Sequence, residues 1–133
     1  MLGLQPPAAG AAAYNMVGGM GAAPQDLMKM GLDRACALLR ECEAAIARGD
    51  RLTKARSLMA AHEIVEFLLG ISGAEPGSLS ECLGKVYRYA LVAMLKGNAT
   101  DDPVAIEAGR TALEELAAAW RRIFPDALSW AAE

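Results

Sequence analysis

Four stretches of the sequence repeat apolar residues at the spacing of an amphipathic helix. The first stretch begins at Pro24, which suits the first turn of a helix, and closes at Gly49. Its apolar seam, with spacings of 4, 3, 4, 3 and 4, is formed by Met28, Leu32, Ala35, Leu39, Cys42 and Ile46. Such a seam is typical of a helix in a bundle, so we predict a first helix over residues 24–48.

The second predicted helix has an apolar face that is too wide for an ordinary surface helix. It starts after Asp50, a residue that can cap it, and runs to about Ile71. Between Leu58 and Ile71 the large apolar side chains cover an arc of about 200°, whereas a surface helix needs about 100°. We therefore expect one flank of this helix to be exposed, or to be covered only by the amino-terminal segment.

The third predicted helix is also unusually apolar toward its carboxyl end. It opens with a capping box formed by Ser78 and Glu81 and stops around Gly97. Leu91 and Leu95 fall outside its main apolar stripe. In an antiparallel bundle the carboxyl ends of the second and third helices lie at opposite poles, so a groove joining them would run along the molecule. Dense packing or a homodimer contact would explain the same excess.

The fourth predicted helix completes an all-α fold. It starts at Asp102-Pro103. Its seam is formed by Ile106, Gly109, Leu113, Leu116, Trp120 and Ile123. Four helices of about 20 residues with short connections predict an antiparallel up-and-down four-helix bundle over residues 24–125. Residues 1–23 carry no charge and are expected to form a flexible leader, and residues 126–133 a short tail.

Composition excludes several classes of partner. The 133 residues fit one domain with a single core. Sixteen acidic and 13 basic residues are spread along the chain and give a net charge of −3, which argues against a nucleic-acid partner. Every apolar run is cut short of the roughly 18 residues that a membrane span needs. The three cysteines indicate a reducing environment, so we expect a cytoplasmic protein without membrane insertion.

Candidate catalytic chemistry is sparse. His62 and Glu66 could face one metal ion, but a catalytic site needs a third ligand, and a solvated polar strip is the favoured interpretation. Cys82 lies near a helix start, yet no basic partner is evident in its sequence neighbourhood, which favours a packed thiol. We therefore expect no enzymatic activity, no metal and no cofactor.

Three blocks of sequence, in order along the chain, resemble one known family. Residues 24–35 (PQDLMKMGLDRA) are similar to a Pro-Glu-Glu-Leu…Leu-Tyr-Asp-Gly-Ala block, although Leu32 replaces its tyrosine. Residues 86–89 (VYRY) resemble a Leu-Tyr-x-Tyr stretch, and residues 113–120 resemble a closing Leu…Leu…Trp. Tyr14 lies where the family carries a tyrosine shortly before the first helix. The family is that of flagellar secretion chaperones of the FliS type.

This resemblance implies a non-enzymatic four-helix bundle that works in the cytosol. Such proteins bind the disordered carboxyl-terminal segment of flagellin, prevent its premature polymerisation and deliver it to the flagellar export apparatus. The leader around Tyr14 is expected to cover part of the binding surface when flagellin is absent. A structural bundle that self-associates through the same surface, for example as a homodimer, is the alternative.

The expected partner-binding residues lie before the bundle and on its second and third helices. They are Tyr14, Leu58, Ile64, Phe67, Leu68, Ile71, Tyr87, Leu91 and Leu95.

Overall fold

The computed structural model describes residues 24–73 and 77–125, and in these ranges the chain forms four α-helices and no strand. The helices are α1 (Pro24–Ala47), α2 (Arg51–Ile71), α3 (Leu79–Thr100) and α4 (Pro103–Ile123). Each helix packs against two others, in a ring that joins α1 to α2, α2 to α3, α3 to α4 and α4 to α1. The predicted four-helix bundle is confirmed. The predicted leader and tail lie outside the described residues.

Two helix starts have the caps that the sequence predicts. The carboxylate of Asp50 accepts a hydrogen bond from the backbone N–H of Thr53 at 3.1 Å, which satisfies one of the free donors in the first turn of α2. At the start of α4, the carboxylate of Asp102 accepts from the N–H of Val104 at 2.9 Å, and Pro103 occupies the first turn.

Both ends of α3 differ from the prediction in detail. The carboxylate of Glu81 accepts from the N–H of Gly77, one residue before the position expected in a capping box. At the other end the helix does not stop around Gly97 but continues to Thr100, and Asp101 adopts the left-handed conformation (φ 51°) that ends it. Gly97 is instead a buried packing position within the helix, so the glycine serves helix contact rather than termination.

All four helices contribute to the core. Its largest fully buried side chains are Leu32, Leu39, Cys42, Val65, Leu68, Tyr87, Met94, Ile106 and Leu113. The hydroxyl of Tyr87 donates to the sulfur of Met28, so this polar group is satisfied inside the core. Burial raises the pKa of Tyr87 well above its ordinary value. No described buried side-chain nitrogen or oxygen lacks a hydrogen-bond partner.

Two lysines bind carboxyl-terminal ends of neighbouring helices. Lys29 on α1 is buried. Its amine donates a hydrogen bond of 2.8 Å to the carbonyl of Phe124, which lies at the end of α4. The amine of Lys54 on α2 donates to the carbonyl of Asn98 at 3.1 Å and pairs with Asp101, at the end of α3. These contacts place the start of α1 beside the end of α4, and the start of α2 beside the end of α3. Both helix pairs are therefore antiparallel, and each cation lies at the negative end of a helix dipole.

None of the four described helices is both long and apolar enough to cross a bilayer.

Candidate partner-binding surface

Four of the expected partner-binding residues are core residues in this structure. Leu58, Ile64, Leu68 and Tyr87 are all no more than 7% exposed, so they form no part of an open surface. The reason is the position of α2 between two neighbours, α1 and α3, which together bury a much wider arc than a single contact does. Most of the wide apolar arc of α2 is therefore accounted for by the bundle itself.

The other expected residues lie at the margins of the core or on the surface. Phe67 and Leu91 are half-buried and pack against the core. Ile71, at the end of α2, is 46% exposed, and Leu95, near the end of α3, is 67% exposed. Tyr14 lies outside the described residues. Of the described residues expected to bind the partner, Ile71 and Leu95 are therefore the two that are well exposed.

Exposed apolar residues occur on three of the four helices and follow a different pattern from the one expected. Those on the described part of the chain are Leu52, Met59, Ile71, Leu79, Tyr89, Val92, Leu95, Val104 and Ile123. Ile71 on α2 and Leu79 on α3 line one hollow, and Tyr89 on α3 and Val104 on α4 line another, which lies between α3 and α4. From the sequence, no binding surface was expected between α3 and α4, and Val104 was not among the expected partner-binding residues.

The hollow belongs to a longer groove, which we call the α3–α4 groove. It consists of two adjoining hollows of about 480 and 400 Å³. Tyr89, Ala112 and Glu115 line both hollows, so Tyr89 stands between them as a divider. The full set of lining residues is Lys85, Val86, Tyr89, Val104, Glu107, Ala108, Thr111, Ala112, Glu115 and Leu116.

Small residues explain why this groove forms. A Cβ atom added at Gly109 would lie 3.2 Å from the Cβ of Ala93 and 3.3 Å from the carbonyl oxygen of Ala90, so α3 and α4 approach closely there. Because the two helices approach so closely, large side chains at the edges of their contact do not fit between them. Tyr89 and Val104, which are 54% and 70% exposed, therefore remain outside the core.

The carboxylates of α4 are paired on one side of the helix and unpaired on the other. Glu114, on the side that faces α1, lies 2.6 Å from Arg40 and 2.8 Å from Arg110. Glu107 and Glu115, which line the α3–α4 groove, have no basic side chain within ion-pair distance in the described part of the chain. The groove thus combines an apolar floor with two carboxylates on α4 that form no ion pair in the described part of the chain, while Lys85 lies on its α3 side.

A separate apolar hollow lies at the pole where α1 begins and α4 ends. It measures about 300 Å³, and its lining residues are Gln25, Met28, Ile71, Ser72, Leu79, Ser80, Leu83, Trp120 and Phe124. The indole N–H of Trp120 donates to the carbonyl of Gln25 at 2.9 Å and fastens the two helix ends together. The ring centroids of Trp120 and Phe124 lie 4.8 Å apart. We call this hollow the pole pocket.

The side chains considered for metal or thiol chemistry are dispersed. His62 Nδ1 lies 3.1 Å from Glu66 Oε1, and residues 24–73 and 77–125 contain no group of three ligand side chains that could hold a metal ion. Cys82 is exposed, which corrects the expectation of a packed thiol. Cys36 and Cys42 are buried, and burial raises the pKa of both, that of Cys36 to about 12.

The groove residues on α4 carry a sequence signal that the periodicity argument did not use. Val104, Ala108 and Ala112 recur every four residues and form a second apolar stripe beside the seam that starts at Ile106. Because two of the three are alanines, the stripe is weak by hydropathy alone. Its position beside Gly109 is what marks it as the floor of a groove.

Fold and surface together define a four-helix-bundle protein that presents an open apolar groove along one helix pair. The family model described as "Flagellar protein FliS" matches residues 7–127 of the chain. A curated relative, "Flagellar secretion chaperone FliS" of Salmonella typhimurium (strain LT2), is 30% identical over 110 residues, which cover 81% of this chain and 82% of the relative. The chain belongs to the FliS family, as the sequence blocks indicated.

Proposed function

We propose that the protein is a cytoplasmic flagellar export chaperone that binds the disordered carboxyl-terminal segment of flagellin. It keeps that segment from polymerising prematurely and delivers it to the flagellar export apparatus. The observation that carries this proposal is the open apolar α3–α4 groove in a member of a family whose Salmonella relative is named a secretion chaperone. A surface of this kind suits an amphipathic segment that is otherwise unstructured.

An energy estimate indicates how extensive the contact has to be. Burying four apolar side chains of a partner in the groove is worth about 6–12 kcal/mol. Association costs at least about 4 kcal/mol, and ordering a disordered segment costs about 2–5 kcal/mol more. One groove therefore supports only weak binding. We infer that the segment continues over other exposed apolar positions, which include Ile71 and Leu79 at the pole pocket.

The leader keeps its proposed role as a competitor of the cargo. Gln25, the second residue of α1, lines the pole pocket, so the start of α1 lies at an apolar hollow. A tyrosine such as Tyr14 suits a hollow of this kind because its ring is apolar and its hydroxyl can stay hydrated.

The proposal is tested by titrating a purified flagellin carboxyl-terminal peptide into the protein by calorimetry. Three exposed apolar residues of nearly equal exposure allow a matched comparison: Val104 (70%), Leu95 (67%) and Met59 (66%). We expect Val104→Asp to weaken binding at least tenfold, because it places a charge in the groove, which corresponds to about 1.4 kcal/mol. We expect Met59→Asp to bind like the wild type.

Three other results of this titration would contradict the proposal or move the binding site. No complex with the peptide at tens of micromolar would contradict the chaperone function. If Leu95→Asp loses binding and Val104→Asp binds like the wild type, the site lies on α2 and α3, as the sequence pattern suggested. A stable dimer at nanomolar concentration that Val104→Asp dissociates, without flagellin binding, would favour the self-associating bundle instead.

A further inference from the structure

The acidic edge of the α3–α4 groove indicates which kind of helix fits it. Glu107 and Glu115 are exposed, lie on one wall of the groove and lack an ion-pair partner in the described part of the chain. The neighbouring Glu114 is held by two arginines and cannot serve a partner in the same way. The free carboxylates of α4 are therefore those that border the apolar floor.

We propose, on the basis of the proposed function, that the groove binds its cargo as an amphipathic helix of about three turns with basic residues along the edge that faces α4. The apolar stripe of that helix fills the two hollows on either side of Tyr89. Lysine or arginine side chains seven residues apart on the cargo pair with Glu107 and Glu115.

The length of the groove sets the length of the bound helix. The lining residues on α4 run from Val104 to Leu116, twelve residues apart, which corresponds to about 18 Å at the helical rise. A cargo helix lying alongside α4 over this distance has about 12 residues. The floor is formed by alanines, so the backbone of the cargo can approach to ordinary helix-packing distance.

The division of the groove by Tyr89 sets the pattern of the apolar stripe. Hollows on both sides of one aromatic ring accept two large apolar side chains separated by a smaller one. Side chains three or four residues apart share one face of a helix, so a large–small–large pattern at this spacing matches the surface. Tyr89 is 54% exposed, and its phenol hydroxyl can also form a hydrogen bond with the cargo backbone or a polar side chain.

The spacing of the two carboxylates sets the spacing of the charges. Glu107 and Glu115 are eight residues apart, about 12 Å along α4. On a cargo helix, residues seven apart lie about 10.5 Å from each other and almost on the same side, because two turns take about 7.2 residues. The opposite wall, on α3, carries Lys85, a cation that cannot pair with basic cargo residues. The charges therefore fix which edge of the cargo helix faces α4.

Charge reversal of both partners tests the inference. The probes are two synthetic amphipathic peptides of equal length with the same apolar stripe, one with a lysine pair and one with a glutamate pair at i and i+7. The protein variants are wild type, Glu107→Lys/Glu115→Lys, and the control Glu41→Lys/Glu63→Lys, which changes the same net charge on α1 and α2. Affinities are measured by fluorescence anisotropy at low and at high salt.

We expect the wild type and the control to prefer the lysine peptide by about threefold to tenfold, as two solvent-exposed ion pairs predict. We expect Glu107→Lys/Glu115→Lys to reverse this preference, and high salt to reduce both effects. Val104→Asp should abolish binding of both peptides, which locates them in the groove.

Equal affinity of both peptides for the wild type and the reversed variant would overturn the inference. Failure of both peptides to bind, while the flagellin peptide still binds, would overturn it as well and leave the proposed function standing. Failure of the flagellin peptide itself would instead contradict the proposed function, so the two failures are distinguishable.

Discussion

Helix α4 has two neighbours, and its contacts with them differ in kind. Toward α1 it is joined by ion pairs: Arg110 lies 2.6 Å from Glu43, Arg40 lies 2.6 Å from Glu114, and Arg121 pairs with Asp33. Toward α3 no ion pair is found in residues 24–73 and 77–125, and the close contacts are made by glycine and alanine.

The difference shows how a bundle keeps one surface apolar and open. A hollow is also present between α1 and α4, but its walls include the paired charges of Arg40, Glu114, Arg121 and Asp33. Long charged side chains cover apolar surface with their aliphatic stems and turn the outer edge polar. Small residues between α3 and α4 supply no such cover. The α3–α4 groove therefore keeps an apolar floor, formed by Ala108 and Ala112, that no ion pair between its two helices covers in the described part of the chain.

The largest expected contrast between the two helix pairs is in thiol reactivity. Cys36 lines the α1–α4 hollow and is buried, and burial raises its pKa to about 12, so at pH 8 only roughly one thiol in ten thousand is ionised. Cys82 is exposed, on the same face of α3 as Val86 and Tyr89. We expect Cys82 to react with iodoacetamide at least about a hundredfold faster than Cys36, measured by mass spectrometry.

The variants Cys82→Ser and Cys36→Ala separate the two thiols. Cys82→Ser should remove the fast phase, and Cys36→Ala should leave it unchanged. A fast phase that persists in Cys82→Ser and maps to Cys36 would show that the α1–α4 contact opens readily, so that the two helix pairs do not differ in this way.

A substitution at Gly97 should break the close contact between α3 and α4. A Cβ atom there would lie 2.4 Å from Cδ1 and 2.6 Å from Cγ1 of Ile106, and 3.1 Å from the carbonyl oxygen of Asp102. Alanine is favoured over glycine in a helix by about 1 kcal/mol, but overpacking costs about 1–3 kcal/mol. We expect Gly97→Ala to lower the free energy of unfolding by up to about 2 kcal/mol, measured by urea denaturation.

Gly70 provides the matched control for this prediction. It also lies within a helix, and a Cβ atom added there meets nothing within 4 Å. Gly70→Ala should therefore raise the free energy of unfolding by up to about 1 kcal/mol. Ile106→Val, which removes Cδ1, should recover part of the loss in the Gly97→Ala background. Equal effects of alanine at both glycines would show that α3 and α4 are not in tight contact.

The smallest expected effect concerns the ion pairs between α1 and α4. Arg110 is largely buried, with its side chain 12% exposed, and it contacts the carboxylates of both Glu43 and Glu114. We expect Arg110→Met to lower the free energy of unfolding by about 1 kcal/mol in thermal denaturation, because the partly buried carboxylate of Glu43 loses its ion pair and that of Glu114 keeps only Arg40. Arg40→Met, at a side chain 62% exposed, should change stability by less than about 0.5 kcal/mol.

The two arginines also distinguish ion pairs that stabilise the α1–α4 contact from ion pairs that only cover it. If Arg110→Met has no more effect than Arg40→Met, the ion pairs cover the surface between α1 and α4 without stabilising it. Binding of the flagellin peptide should be unchanged in both variants, since neither residue lines the α3–α4 groove.

Local chemistry made the helices predictable from the sequence. The acceptors at Asp50 and Asp102, the proline at position 103 and the apolar spacing within each segment depend on neighbours within one or two turns. Such short-range effects can be recognised from the order of residues in the sequence. The number of helices, their order and most of their bounds followed from them, together with the family resemblance carried by the sequence blocks.

The location of the open surface depended on distances that the sequence does not contain. The apolar excess of α2 is mostly core because two neighbouring helices enclose it, and periodicity counts apolar positions without counting neighbours. Gly97 has the local character of a helix stop, yet its contact with Ile106 makes it a packing position. Tyr89 and Val104 belong to separate helices, and only the tertiary structure brings them to one groove, because the small residues between them let α3 and α4 approach closely.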